Sequence, residues 1–192
     1  MAIDPSDGTI AIAWSDNQGV GNCGTGDPSF IGHTAAQVKL VTGTWGSMSA
    51  AQAVTSAGSD TVFPAVGIND GRIAVSYYVA DTTSANDACY VKIPDDATGP
   101  GPFWEPTADS VCLAYAMRDS GSGFGTEHLL TSEPSNPYVQ FANGSFIGDY
   151  SQVVIGTDNV AHAAWTDFRG RPGENGPNQD VYVNGMLINN PS

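Results

Sequence analysis

Tyr150-Ser-Gln-Val-Val-Ile-Gly-Thr-Asp-Asn-Val-Ala-His-Ala-Ala-Trp-Thr-Asp167 decides the fold, because its grammar occurs three times in the chain. It reads as a short apolar strand, a tight turn carrying Asp with Asn or Gly, and a second strand. That second strand ends in an aromatic and is soon followed by Asp. Met1-Ala-Ile-Asp-Pro-Ser-Asp-Gly-Thr-Ile-Ala-Ile-Ala-Trp-Ser-Asp16 has the same form. So does Phe63-Pro-Ala-Val-Gly-Ile-Asn-Asp-Gly-Arg-Ile-Ala-Val-Ser-Tyr-Tyr-Val-Ala-Asp81. Asp70-Gly71 and Asp158-Asn159 tolerate the positive φ that tight hairpin turns need, so each segment is a predicted β-hairpin.

The hairpin strands are rich in Ala, Val and Ile on both faces, the pattern of strands covered on both sides. Ala11, Ala13, Ala74, Ser76, Ala161 and Ala163 are small enough to let neighbouring sheets approach closely. Further strands are predicted at 37–41, 50–55, 111–117, 127–131 and 180–187. Each unit then has four strands, an inner hairpin followed by an outer one. Repeats of this kind imply an all-β fold, a partial β-propeller of about three four-stranded antiparallel blades. The expected single domain covers 1–192, with blades at 1–57, 58–133 and 134–192. Units start roughly 60–85 residues apart against the ~40–50 of compact propeller repeats. The excess falls in loops at 17–36, 80–87, 95–109 and 168–179. Closed propellers take about 4–8 blades, and open blade edges template aggregation. The expectation is therefore the C-terminal portion of a longer protein, or a module that assembles with copies of itself.

Composition narrows the partners. Twenty acids against six Lys and Arg give a net charge of −14, which repels phosphate backbones and anionic lipid. Neither nucleic acid nor a membrane surface is an expected partner. The charge suits a solubility surface or a calcium-rich, saline setting. No apolar run approaches the roughly 18 residues of a bilayer span. No secretory leader is legible where Met1 is followed by Ala2-Ile3-Asp4-Pro5. Cys23, Cys89 and Cys112 match no zinc spacing. Two readings stand for them: a Cys89–Cys112 disulfide stapling a long Pro/Gly-rich loop, or three buried thiols.

Asp119-Ser-Gly-Ser-Gly-Phe124 resembles an Asp box, the Ser-x-Asp-x-Gly-x-Thr-Trp/Phe turn of sialidase-like propellers. It keeps Asp119, Gly121 and Phe124, with Met117 in place of Ser and Gly123 in place of Thr. Gly43-Thr44-Trp45 resembles the tail of a second box. Phe146-Ile-Gly-Asp-Tyr-Ser151, Trp165-Thr-Asp-Phe-Arg169 and Gln179-Asp-Val-Tyr182 resemble the last blades of secreted bacterial exo-sialidase-like proteins. The resemblance implies an extracellular protein that acts on or binds glycans or glycoproteins, of glycoside hydrolase type if it is an enzyme. The alternative is a non-catalytic propeller for adhesion or protein contact.

Propeller geometry puts Asp60, Asp149 and Tyr150, which precede inner strands, on one face. Asp16, Asp81, Asp167, Phe168 and Arg169, which follow second strands, share that face. Asp149 and Tyr150 are the candidate catalytic pair, a carboxylate and a phenol. Arg169, Asp167, Asp16 and Asp81 are the candidate substrate contacts. A sialidase-type site also needs several arginines to clamp a carboxylate. Arg72 lies in a hairpin turn and Arg118 beside the Asp box, on the opposite face, so only Arg169 and Arg171 remain and no triad can be assembled. No cofactor is expected. Calcium is a candidate where Asp16, Asp149, Asp167 or Asp180 meet loop carbonyls. His162 falls inside an inner strand and reads as a core or channel histidine. Trp14, Trp45, Trp104 and Trp165 could stack on sugars or pack between blades. Asn143-Gly-Ser145 has the pattern of a glycosylation sequon.

Overall fold

The computed structural model describes residues 1–17, 36–56, 61–81, 112–132, 150–167 and 180–188. Twelve β-strands and one 3-10 turn account for their regular structure, and no α-helix occurs among them. The strands are β1 (Ala2–Ile3), β2 (Ile10–Asn17), β3 (Ala36–Thr44), β4 (Ser47–Met48), β5 (Gln52–Ala53) and β6 (Thr61–Asn69). They continue as β7 (Arg72–Asp81), β8 (Cys112–Asp119), β9 (His128–Leu129), β10 (Gln152–Ile155), β11 (Val160–Asp167) and β12 (Asp180–Leu187).

They form three antiparallel sheets, each a meander in chain order. The first sheet runs β1-β2-β3-β4 with β5 also on β3, the second β6-β7-β8-β9, and the third β10-β11-β12. The predicted turns carry the hairpins: Asp70 and Asn159 both take positive φ, at 51° and 65°. The expected strands at 50–55 and 127–131 shrink to Gln52–Ala53 and His128–Leu129. Their chain ends leave the ladder, and Thr55 and Thr131 instead accept backbone N–H bonds from Val38 and Tyr115.

The sheets stack face to face, with the second in the middle. Alternation along β7 divides its side chains between two cores. Val75 and Tyr77 look to the first sheet, joining Ala11, Val38, Leu40 and Val54. Ala74 and Tyr78 look to the third, joining Val153, Ala161, Ala163 and Trp165. Only this middle sheet is covered on both faces. The expectation that all the inner strands are buried on both sides is therefore corrected: outer faces of the first and third sheets lack a neighbour among the described residues. His162, on the open face of β11, is exposed rather than in a core or channel.

Small residues set the spacing. Ala11, Ala74, Ser76, Ala161 and Ala163 are all essentially inaccessible. Gly67 makes the tightest approach: a Cβ there would stand 2.8 Å from the Val153 carbonyl oxygen on the neighbouring sheet. Beside it, Tyr115 stacks on Trp165 at 4.8 Å, and Tyr78 meets Tyr115 edge-on at 4.7 Å. The Tyr78 hydroxyl donates to the Thr166 carbonyl at 2.9 Å and accepts from the Thr166 N–H at 3.0 Å, crossing between sheets.

Gly67→Ala is expected to force β6 away from β10 and lower stability by about 1–3 kcal/mol, the usual cost of overpacking. Trp165→Ala should cost about 3–5 kcal/mol through the cavity it leaves. Denaturant midpoints at unchanged m-value check both. A Gly67→Ala protein as stable as the parent would show that the sheets are not held at this separation.

Candidate functional site

The first strands of the three sheets, β1, β6 and β10, run side by side along one groove of about 940 Å³. Met1–Ile3, Pro64–Asn69 and Tyr150–Ile155 line it, closed at one side by Ala164, Trp165 and Thr166. Being first in their meanders, these strands have one edge without a ladder partner. The groove therefore presents backbone donors and acceptors as well as apolar side chains. Among the described lining residues there is no Asp, Glu, Arg, Lys or His.

One end of the groove is irregular. The β6–β7 ladder shifts register between Val62 and Ala65. Within that bulge Phe63 takes φ +51°, a left-handed conformation that costs an aromatic residue roughly 1–3 kcal/mol. The Phe63 carbonyl accepts from the Ser151 hydroxyl at 3.2 Å, tying the bulge to β10. Tyr150, next in sequence, is 89% exposed, a phenol held out at the groove mouth.

The predicted site residues separate. Tyr150 lines the groove; Asp149 and Arg169 lie outside the described residues, as do Asp60, Phe168, Arg171 and Cys89. Asp16 is ion-paired with Lys39 across β2 and β3 and does not line the groove. Asp167 is fully buried at the end of β11, where Trp165 Nε1 reaches it at 3.4 Å. It is an interior group rather than a loop contact exposed to substrate. Asp81 and Cys112 face each other where β7 meets β8, and their side chains lie outside the described set. Among the described residues no group of three His, Cys, Asp or Glu side chains stands together for a metal. Asp180 pairs with Asp167 across β11 and β12, away from Asp16.

Asp119-Ser-Gly-Ser-Gly-Phe124 forms the turn between β8 and β9. Asp119, buried, caps the 3-10 turn Ser120–Ser122 by accepting from the Ser122 N–H at 3.1 Å. Gly121 lies within that turn, and Phe124 inserts into the core between the first two sheets. Gly43-Thr44-Trp45 occupies the corresponding turn from β3 to β4, with Trp45 94% exposed. The Ser120 hydroxyl accepts from the Ile73 N–H at 3.0 Å, so the Asp119 turn and the β6–β7 hairpin share a rim.

Two clusters on the rims escaped the sequence reading. Arg118 donates from Nε to the Tyr77 hydroxyl at 2.8 Å and from a terminal nitrogen to the Phe124 carbonyl at 2.7 Å. Tyr77 in turn donates to Glu127 at 2.6 Å. A phenol on a carboxylate beside a guanidinium has the composition of a nucleophile site, but Tyr77 is sealed between sheets. Burial, with the Glu127 charge, pushes its phenol far up and keeps it neutral. Burial does the same to Tyr78 and Tyr115. These phenols are structural.

Asp4 makes the second cluster. It is 1% exposed and accepts from the Ser6 N–H and hydroxyl. It also accepts from the Asp70 and Gly71 N–H groups at 3.1 and 2.7 Å, gripping the hairpin turn of the next sheet. Desolvation works to raise its pKa, but the bonds from Gly71, Ser6 and Asp70 together outweigh it and pull the carboxyl down to about 2. The signal was present as an Asp inside Asp4-Pro-Ser-Asp-Gly8, but which turn it would cap depended on the stacking.

No family model, curated protein or solved structure is significantly similar to this chain. The site therefore rests on its own geometry.

Because the folded carboxyl titrates below its unfolded value, Asp4 contributes stability above about pH 4 that is lost as pH falls toward 2. Asp4→Asn should lower stability by about 2 kcal/mol at pH 6 and by progressively less on acidification. Paired denaturation curves from pH 6 to pH 2 check this; a pH-independent gap between the two proteins would contradict it.

Proposed function

We propose that the three sheets are successive blades of a β-propeller and that the groove along their first strands binds a glycan. In this reading the protein is sialidase-like, secreted and bacterial. The observation that carries it is the convergence of β1, β6 and β10 on one groove of about 940 Å³ with an exposed phenol at its mouth. The capped turn at Asp119, between the third and fourth strands of its sheet, supports the same reading. A strand edge offers the alternating donors and acceptors that sugar hydroxyls match, and Tyr150 offers a ring face for stacking.

Binding is favoured over hydrolysis. Arg72 is engaged with Asp70, and Arg118 with Tyr77, Phe124 and Glu127, so neither guanidinium is turned to the groove. A second reading, a propeller for adhesion or protein contact, draws on Trp45 and on the exposed valines of β12.

A glycan array on the purified chain, followed by titration of the retained sugars, separates the readings. Tyr150→Ala should weaken glycan binding roughly five- to tenfold, the worth of about 1–1.4 kcal/mol of aromatic contact. A fluorogenic sialoside should show no turnover by this chain. An array on which no glycan is retained removes the glycan reading and leaves protein contact.

A further inference from the structure

Each end of the stack carries apolar side chains. On the outer face of β10–β12, Val154, Val181, Val183 and Leu187 are 50%, 73%, 66% and 69% exposed. The pairs Thr166–Val181, Ala164–Val183 and Val160–Leu187 hold these β12 residues on one plane with the outward side chains of β11. At the other end, the pairs Ile3–Ile10 and Ile12–Val41 gather apolar side chains, Ile3 exposed and the others half-buried, on the outer face of β1–β3, with Trp14 and the Lys39–Asp16 ion pair beside them. Patches of this breadth mark interaction sites rather than ordinary surface.

The contacts already made inside the chain indicate what covers them. Each sets small residues of one second strand against the aromatic that ends the second strand of the next sheet. Ala11 and Ala13 pack in one cluster with Tyr77; Ala74 packs in the other with Trp165. Aligned on Trp14, Tyr77 and Trp165, the second strands place His162 and Ala164 where Ala11 and Ala13, or Ala74 and Ser76, stand in the packed sheets. His162 rests against Gly185 opposite, where any Cβ would stand 3.0 Å from its Nδ1. Among the described residues, the small positions of β11 on the outer face of β10–β12 meet no aromatic from another sheet, and Trp14 on the outer face of β1–β3 meets no small-residue strand.

We infer that the outer face of β10–β12 docks the outer face of β1–β3 of a second copy of this chain, and that the reciprocal contact closes a two-copy ring of six sheets. This rests on the propeller reading. Area favours closure over a single contact. Strands of four, eight and eight residues on one face and of two, eight and nine on the other, about 4.8 Å apart, cover about 320 Å² per face. One contact would bury about 640 Å² in total, the range of adventitious contacts, whereas the two contacts of a ring bury about 1,300 Å², within the range of stable interfaces. Each contact is head-to-tail, and the twofold ring leaves neither face open.

Size-exclusion chromatography with light scattering on the purified chain at micromolar concentration tests this. The expected mass is twice that of one chain. Val183→Asp and Ile12→Lys, both on outer faces, should each halve that mass while circular dichroism keeps the β-sheet spectrum. Mixed in equal amounts they should restore the dimer, because Asp then faces Lys in one contact and the other contact is unaltered. A monomeric parent protein, open-ended assemblies, or a dimer broken by Val183→Asp but not by Ile12→Lys would each overturn the ring. Failure of the glycan reading shows separately, as an array on which no sugar is retained, and leaves the expected dimer mass unchanged.

Discussion

The close face-to-face contact of the middle sheet with both its neighbours is the constraint on which everything else in this molecule depends. Where Gly67 meets the Val153 backbone, no side chain can intervene. The neighbouring second strands are correspondingly reduced to Ala and Ser at the contact. Such surfaces bury little area per residue, so the large aromatics beside them carry much of the burial: Tyr77 toward one neighbour, Tyr115 and Trp165 toward the other. The combination brings three first strands into one groove. A bulkier residue at the contact would splay the sheets and open the groove with them.

Polar staples fix the angle that packing alone leaves loose. Asp4 holds the Asp70-Gly71 turn of the adjacent sheet, Asn69 donates to the Ile155 carbonyl of the next, and Tyr78 grips both backbone groups of Thr166. On the same rim as the hairpin turns, Arg118 unites Tyr77, Phe124 and Glu127. Apart from the exposed Glu127, these groups are buried or half-buried and satisfied, so removing one partner strands another, and their worth lies in specifying one relative orientation. The chemically suggestive groups of the described chain are mostly spent in this way. Among the described residues, the groove itself offers strand edge, apolar wall and Tyr150.

Much of this was legible in the residues. The hairpins, their turn residues, the small-residue stripe and the β12 segment could be read directly, because period-two alternation and turn chemistry are local properties. A further local signal was present and passed over: Gln52-Ala-Val-Thr-Ser56 and His128-Leu-Leu-Thr-Ser132 are one repeat, each placing a Thr whose hydroxyl takes a backbone N–H from the third strand. The candidate site was less legible. Tyr150 belongs to the groove, but Asp16 turned to Lys39 and Asp167 sank into the core. Residues that end equivalent strands share a rim, yet a pleat sends each side chain in or out according to its register.

Turn type, strand content and the spacing of small residues were determined by the sequence itself, since each follows from φ preferences and side-chain volume within a few neighbours. Only the tertiary structure decided that Asp4 caps a turn sixty-six residues away, that Tyr77 is sealed between sheets while its partner Glu127 stays exposed, and that the outer faces of the first and third sheets have no neighbour among the described residues. Those outcomes depend on which surfaces meet when separate sheets stack, and no local pattern carries that information.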